Sequence, residues 1–236
     1  MMSAGVENAG SDAKCYTVRR TATPPALDGN WDAAGWASAS VAPVHCFHPK
    51  SSEHRPKVEA RLLYGDDALF LQFRVRDDRY IRVVATEFMG PVYRDSCVEF
   101  FVRPRADAGY FNFEINAGGT LLASHVVDWR RDEKGLADRR PLSAAAAETV
   151  RIAATLPRRI DPELPGPVTW GIAARIPFSV FEPFIGPTRP RSGDEWRANF
   201  YKCADATSHP HWASWNPIGE RLNFHCPDHF GRLRFA

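Results

Sequence analysis

One short segment of the chain carries polar and aromatic side chains at a spacing that could bind a sugar. Residues 110–116 alternate between two faces, as in a β-strand. One face has Phe111, Phe113 and Ile115, and the other has Tyr110, Asn112, Glu114 and Asn116. Amides and a carboxylate can hydrogen-bond to hydroxyl groups, and an aromatic ring can pack on the C–H face of a sugar. The pattern therefore predicts a sugar-binding strand face, with a solvated outer face as the alternative interpretation.

A second carboxylate precedes this segment. Glu99 alternates with Val98 and Phe100, so we expect it to line the same surface as Glu114. A pair of carboxylates about 5 to 9.5 Å apart across a glycosidic bond would make a glycoside hydrolase. Strand carboxylates that hydrogen-bond to sugar hydroxyls explain the same residues without catalysis. We favour binding without catalysis, and keep the hydrolase that uses Glu99 and Glu114 as the alternative.

Histidines are dense near the end of the chain, and they raise the question of a metal or haem. They are His209, His211, His225 and His229, with Cys203 and Cys226 nearby. Pro227 makes a shared helix for His225 and His229 unfavourable, so the spacing favours surface or loop histidines over a zinc site. A haem-binding or redox sandwich is a third hypothesis, although with three methionines the chain offers no convincing axial pair.

The elements that would hold these side chains are predicted to be short strands. Nineteen prolines and sixteen glycines are spread along the chain and interrupt it with turns. The apolar patterns predict strands at 69–75, 97–102, 110–116, 121–127, 149–156, 168–176, 198–203 and 232–235. A turn is predicted over 157–167. Many short strands without long helices indicate an all-β, antiparallel β-sandwich of the jelly-roll kind.

Few helical pieces are expected. Residues 28–36 suggest a capped helical turn whose Trp31 and Trp36 close one end of the core, and 177–181 suggest another turn. Residues 143–147 are predicted to be helical or to lead into the next strand. The charged segment 130–140 is predicted to be a mobile loop. We expect residues 1–20 to be a flexible segment and 21–236 to form one domain.

Several motifs along the chain occur together in a known order. They are Leu27-Asp28-Gly29 with Trp31 and Trp36, Tyr64-Gly65-Asp66-Asp67 with Leu69-Phe70, the segments 95–101 and 110–116, and Phe224-His225-Cys226-Pro227 with Phe230-Gly231. This set resembles the family 9 carbohydrate-binding modules over nearly the whole chain. The resemblance implies a β-sandwich that holds a mono- or oligosaccharide between two aromatic rings and hydrogen-bonds to its rim.

The resemblance also implies which residues form the site. By position, Tyr93 and Phe224 correspond to the two aromatic platforms, where other members of the family have tryptophan. Glu99 matches a carboxylate of the family's pocket, Asn116 matches an amide, and Glu114 stands where some members have a basic residue. Arg94 and His225 lie beside the two rings and are candidate hydrogen-bond donors. Trp215 is the next candidate for a platform.

No cofactor is required by this interpretation, but the family resemblance allows structural calcium. Aspartates in predicted turns are candidate oxygen ligands, but the sequence does not predict which of them would share a calcium ion. They are Asp28, Asp66, Asp67, Asp77 and Asp78.

Composition, net charge and cysteine spacing argue against several other classes of protein. The 236 residues carry a formal net charge of +2, too small for the field that unspecific nucleic-acid binding requires. No apolar run approaches the ~18 residues of a membrane helix. The five cysteines lack a Cys-x-x-Cys pair and are expected to be free and mostly buried thiols. We expect a monomer, cytoplasmic as written because no signal peptide is visible, and periplasmic or extracellular if the start is truncated or misassigned.

Overall fold

Strands dominate the computed structural model, which describes residues 13–133 and 135–236. Sixteen strands occur in this part of the chain: β1 (Cys15–Arg20), β2 (Ala42–Pro43), β3 (Cys46–Phe47), β4 (Lys57–Tyr64), β5 (Ala68–Asp78), β6 (Ile81–Val83), β7 (Cys97–Arg103), β8 (Tyr110–Asn116), β9 (Leu121–Asp132), β10 (Gly135–Pro141), β11 (Arg151–Ala154), β12 (Ile160–Leu164), β13 (Val168–Pro177), β14 (Glu195–Cys203), β15 (Trp212–Ser214) and β16 (Gly231–Phe235). The helices are α1 (Ala144–Thr149) and α2 (Glu182–Ile185), with 3-10 turns at Val92–Arg94, Phe178–Val180 and Pro227–His229.

The strands form two layers that share β1. One layer runs in the order β10-β9-β8-β7-β14-β16-β1 and the other in the order β1-β4-β5-β13-β11. The first four residues of β1 pair with β16, and its last two pair with β4, both in parallel. The other recorded strand pairs are antiparallel, and β12 with β6 makes a small separate sheet. The predicted all-β sandwich is therefore confirmed, with parallel pairing added at β1.

Aromatic side chains fill the space between the layers. Phe200 of β14 stacks on Phe100 at 5.3 Å between ring centroids, and it meets Phe73 of the opposite layer at 6.0 Å. All three rings are at most 1% exposed. Truncating such a ring to alanine would cost about 3–5 kcal/mol. This core fixes the inner face of the sheet, and the outer face of the same strands is left to form a site.

Strands β7, β8 and β14 place the predicted polar residues on that outer face. Phe111, Phe113 and Ile115 lie in the core between the layers, as the alternation predicted. The opposite face is not solvated, because every residue of β8 is buried. Loops and the β9–β10 hairpin cover it.

The charged segment 130–140 is not a mobile loop, so that prediction was wrong. Residues 130–132 end β9 and residues 135–140 lie in β10, and the two strands pair in antiparallel fashion with irregular register. Arginine and aspartate two residues apart lie on the same side of a strand and pair, as in Arg130 with Asp128 and Arg140 with Asp138. Mixed charges on a solvent-exposed hairpin thus resembled a loop.

Some of the other predictions of local secondary structure are confirmed and some are wrong. Residues 28–36 contain turns and no helix, although Trp31 and Trp36 are buried as expected. The helical turn near 177–181 and the helix after Ser143 are confirmed, and the Ser143 hydroxyl caps the helix by accepting from the Ala146 backbone N–H. Within the turn predicted at 157–167, β12 forms a short strand.

The expected flexible segment 1–20 needs a correction for its last part. Residues 15–20 form β1, whose side chains Tyr16 and Val18 are buried in the core. Residues 1–12 lie outside the described part of the chain. Neither helix of the described residues has the length and apolar character required to cross a membrane.

Candidate functional site

A cavity of about 780 Å³ opens on the outer face of β7, β8 and β14. Its floor is formed by side chains of these three strands. Its walls come from the 3-10 turn at Val92–Arg94, the β9–β10 hairpin and the segment 222–225. Distant parts of the sequence therefore meet around one opening.

Two glutamates lie side by side on the floor. Glu99 of β7 and Glu114 of β8 are directly opposite each other in the strand register, and both are less than 5% exposed. Asn112 Nδ2 donates to Glu114 Oε1 at 2.7 Å, and the Cys203 thiol donates to Glu99 Oε1 at 3.0 Å. Glu114 Oε2 is buried and has no hydrogen-bond partner. One acceptor on the floor is thus available to a ligand.

Burial controls the protonation of this pair. It raises the pKa of Glu99 well above the usual glutamate value, and the neighbouring Glu114 adds to the effect. Burial also raises the pKa of Glu114, while the Asn112 hydrogen bond and Arg139 oppose the rise. A protonated carboxyl can donate as well as accept a hydrogen bond. The floor can therefore present both kinds of hydrogen-bonding group to a hydroxyl.

Three aromatic side chains line the cavity. Phe224 stacks on the buried Tyr201 with ring centroids 4.1 Å apart and planes 13° from parallel. Trp212 Nε1 donates to Asp205 Oδ1 at 2.6 Å, which orients the indole. Tyr93 is 40% exposed and so has ring surface open to solvent.

Polar groups of the rim come from two sides. His225 shares a hydrogen bond of 2.6 Å between its Nδ1 and the Tyr110 hydroxyl. Burial, with Arg131 and Arg139 nearby, lowers the pKa of His225, so its imidazole is neutral at pH 7. Both arginines also line the cavity from the hairpin. They supply fixed positive charge and hydrogen-bond donors.

Five of the seven sequence-predicted site residues line this cavity. They are Tyr93, Glu99, Glu114, Phe224 and His225. Asn116 is used inside the protein instead: its Nδ2 donates to Ala85 O and Asp95 Oδ2, and its Oδ1 accepts from Thr120 N. Arg94 is exposed and is not among the lining residues.

Trp215, the alternative platform, is a core residue. It is 4% exposed, and its ring packs on Phe200 at 5.6 Å and on Tyr16 at 6.4 Å. Trp212, three residues earlier, lines the cavity, because residues an odd number apart on an extended chain point to opposite sides. This alternation was the signal that could have separated the two tryptophans.

The hairpin residues were missed because 130–140 was predicted to be a loop. Arg131, Leu136 and Arg139 all line the cavity from β9 and β10. Charge pairs two residues apart, at Asp128 with Arg130 and Asp138 with Arg140, were a strand signal in the sequence.

The candidate calcium aspartates do not gather at one place, and most have cationic partners. Asp66 pairs with Arg20, Asp67 with Arg175 and Asp77 with Lys57. Asp78 is buried and accepts from His54 Nε2 and Trp170 Nε1 at 2.9 and 2.8 Å. Asp28 accepts from the Asn30 backbone N–H. Calcium binding stays a prediction without a defined ligand set.

Two groups of side chains have the spacing of metal ligands within the described residues. One is His54, Asp78 and His211, and the other is Cys97, Glu99 and Cys203. His211 was predicted to lie on the surface or in a loop, but it is 1% exposed. Its Nε2 accepts a hydrogen bond from the buried Lys202 ammonium at 2.9 Å. This ammonium also lies 3.9 Å from Asp78, so the first group already holds a cation.

The five cysteines are free thiols, as predicted. Only Cys97 and Cys203 are buried. Cys15 is exposed, while Cys46 and Cys226 are half-buried. The prediction of buried thiols thus holds fully for two of the five, Cys203 on the cavity floor and Cys97 behind it.

Three solved structures are similar to this chain in fold. A candidate carbohydrate-binding protein from Bacteroides uniformis ATCC 8492 has 30% identity and a TM-score of 0.81, over 95% of this chain and all of that one. A family 9 carbohydrate-binding module from Caldicellulosiruptor kristjanssonii in complex with cellotriose has 14% identity, a TM-score of 0.62 and 94% coverage of both chains.

The module from the same organism in complex with glucose has 13% identity and a TM-score of 0.61, over 93% of this chain and 95% of that one. None of the curated proteins is significantly similar to the chain. The sequence model of carbohydrate-binding family 9 matches residues 32–235, which is most of the chain. The chain therefore belongs to carbohydrate-binding family 9.

Proposed function

We propose that the cavity binds a mono- or oligosaccharide, holding one sugar ring against Phe224 and Tyr93 without chemical change to it. The observation that carries the proposal is the convergence of aromatic walls and a polar floor in one opening. Phe224 is supported from behind by Tyr201, so its free face is a rigid platform. Family membership and the glucose and cellotriose complexes of the similar modules support the same ligand class.

The floor and rim suit hydroxyl groups. Glu114 Oε2 lacks a partner and is available as an acceptor, or as a donor when protonated. Arg131 and Arg139 supply donors from the hairpin. A sugar hydroxyl both donates and accepts, so this mixture can satisfy several hydroxyls around one ring. The arrangement favours a neutral, polyhydroxylated ligand.

A glycoside hydrolase is not favoured by the same geometry. A hydrolase places its two carboxylates on opposite sides of the scissile bond and separates their pKa values into an acid and a base. Glu99 and Glu114 lie opposite each other on neighbouring strands of the cavity floor, and burial raises the pKa of both. The two carboxyls thus belong to one surface that contacts a ligand from one side.

Another cavity, about 320 Å³, includes Trp31 and is a poorer sugar platform. Arg61 and Arg74 lie over the Trp31 ring, with guanidinium carbons 3.8 and 4.5 Å from a ring centroid. The Trp31 ring therefore packs against guanidinium groups of the protein itself, which compete with a sugar for its surface.

Calorimetric titration with glucose, cellotriose and a panel of other oligosaccharides tests the proposal. Aromatic stacking contributes about 0.5–1.5 kcal/mol beyond its buried area, so Phe224→Ala should weaken binding by about two- to tenfold or more. Tyr80→Ala is the matched control, since Tyr80 stacks on His209 and does not line the cavity. Unchanged affinity in Phe224→Ala and Tyr93→Ala would exclude this cavity as the sugar site.

A test for turnover addresses the alternative. Incubation with the same oligosaccharides should release no product. Product that disappears in Glu99→Gln would instead establish hydrolysis.

A further inference from the structure

Two thiols and a carboxylate converge at the floor of the cavity. Cys97 of β7 and Cys203 of β14 are directly opposite each other in the strand register, and Glu99 lies two residues after Cys97 on the same face. A sulfur atom from each cysteine and a carboxylate oxygen of Glu99 all lie within 4.8 Å of one another. None of the three residues is more than 3% exposed. Such convergence of ligand atoms is the spacing of a metal centre.

A second buried carboxyl lies beside this group. Glu114, opposite Glu99, is 4% exposed and its Oε2 has no hydrogen-bond partner. Among the described residues, neither glutamate is recorded in an ion pair within 4.0 Å. A thiophilic cation bound here would replace the thiol protons, because cysteine coordinates a metal as the thiolate.

We propose that Cys97, Cys203 and Glu99 bind a thiophilic divalent cation such as Zn²⁺, with a fourth coordination position directed into the cavity. In tetrahedral coordination with Zn–S of about 2.3 Å, ligand atoms are about 3.8 Å apart. The three side chains need to contract by no more than about 1 Å. Two thiolates select a soft cation over Ca²⁺ or Mg²⁺, which prefer oxygen.

The cavity provides the route to this centre. Cys203 and Glu99 line the cavity, while Cys97 lies behind them. The Cys203 sulfur lies 3.0 Å from Glu99 Oε1 and 3.4 Å from Tyr93 O, and its single thiol proton is shared between these acceptors. Metal binding replaces the thiol proton of the first contact with the cation, so the carboxylate and the sulfur change from hydrogen-bonded partners into common ligands.

The other ligand-like group already contains a positive charge. At His54, Asp78 and His211, the Lys202 ammonium lies 2.9 Å from His211 Nε2 and 3.9 Å from the Asp78 carboxylate. A second cation there would meet a fixed positive charge. Arg131 and Arg139 line the same cavity as Glu99 and Cys203, but among the described residues no lysine or arginine forms an ion pair with Glu99 within 4.0 Å. The metal proposal is confined to this centre.

The test uses the full chain, reduced and freed of metal, in the background Cys15→Ser, Cys46→Ser, Cys226→Ser. This background retains only the two proposed thiol ligands. Titration with Cd²⁺ should give a thiolate-to-metal charge-transfer absorption that saturates at one equivalent, and Co²⁺ should give the visible bands of tetrahedral coordination. Zn²⁺ should displace Co²⁺, and a hundredfold excess of Ca²⁺ should displace neither Co²⁺ nor Cd²⁺.

Single changes in that background identify the ligands. Cys203→Ser and Cys97→Ser should each abolish the stoichiometric absorption, and Glu99→Gln should weaken Cd²⁺ affinity at least tenfold. Glu148→Gln, on the exposed surface of α1, is the matched control and should leave the titration unchanged. Circular dichroism of each variant establishes that it is folded.

The background protein alone keeps the proposal falsifiable if a ligand variant fails to fold. Absence of the charge-transfer absorption at stoichiometric Cd²⁺ in the folded background overturns it, as does absorption that survives loss of either cysteine. The proposal does not depend on sugar binding, because the absorption is measured without sugar. A protein that binds sugar and no metal, or metal and no sugar, separates the two conclusions.

Discussion

Glu114→Gln should make the protein more stable at neutral and alkaline pH. Burial raises the pKa of Glu114 from 4.5 to about 7 in the folded state, while in the unfolded chain the carboxyl ionises near 4.5. Between these values the folded state binds more protons than the unfolded state, so stability falls as pH rises. At about 1.36 kcal/mol per pH unit, the loss amounts to about 3 kcal/mol by pH 7. Glutamine cannot ionise and avoids this loss.

The neutral amide can keep the contact that positions the carboxyl. Asn112 Nδ2 donates to Glu114 Oε1 at 2.7 Å, and a glutamine oxygen can accept the same hydrogen bond. At pH 4.5, where Glu114 is protonated in the folded state, we therefore expect the variant and the wild type to differ little. Removing the negative charge also favours ionisation of the adjacent Glu99, so Glu114→Gln retains a smaller pH dependence of its own.

The measurement is urea unfolding of both proteins from pH 4.5 to 8 at constant ionic strength. The difference in unfolding free energy should grow with pH in favour of Glu114→Gln and level off above pH 7. Glu148→Gln, on the exposed surface of α1, is the control and should follow the wild type within about 0.5 kcal/mol. A difference that does not change with pH would refute the argument that burial keeps Glu114 protonated.

Three further substitutions test the surroundings of the site. Lys202→Met leaves the buried Asp78 carboxylate without its ammonium neighbour and should cost about 3–5 kcal/mol in urea unfolding; a loss below 1 kcal/mol would mean that this charge pairing is unimportant. Asn116→Ala removes hydrogen bonds to the main chain and should lower stability by about 1–3 kcal/mol while calorimetric sugar affinity is retained; loss of affinity in a folded variant would return Asn116 to the binding site. Gly109→Ala places a Cβ 2.2 Å from Val126 O at a φ of +70°, so the thermal midpoint should fall; an unchanged midpoint would contradict that close approach.

Several features of the fold follow from local pattern alone. Alternation in 110–116 separates Phe113 from Glu114, because a strand turns successive side chains to opposite faces. The same rule puts Glu99 on the face of Glu114 and away from Phe100, as the structure has it. These assignments need only the period of two and the preference of apolar groups for the core.

Partner choice could not be predicted in the same way. Asn116 is an amide on the strand face that carries Glu114, as expected of a sugar-binding residue. Its Nδ2 nevertheless donates to Ala85 O and to Asp95 Oδ2, which come from other segments of the chain. Likewise, the sequence predicted His211 to be a surface or loop histidine, whereas in the structure it is hydrogen-bonded to the buried Lys202. A polar side chain buried by folding must be satisfied by whatever group lies nearest, and that group can be far away in sequence.

By itself, the sequence determined the sandwich class, the two faces of the central strands and the residue types of a sugar-binding surface. The tertiary structure decided which of those residues share a cavity, because closing it required the β9–β10 hairpin and the segment near Phe224 to meet over β7, β8 and β14. It also brought Cys97 and Cys203, 106 positions apart in the numbering, to facing places on adjacent strands. Strand alternation is a property of the local backbone, whereas strand order and burial depend on packing of the whole chain, and the chemistry of this floor arises from the latter.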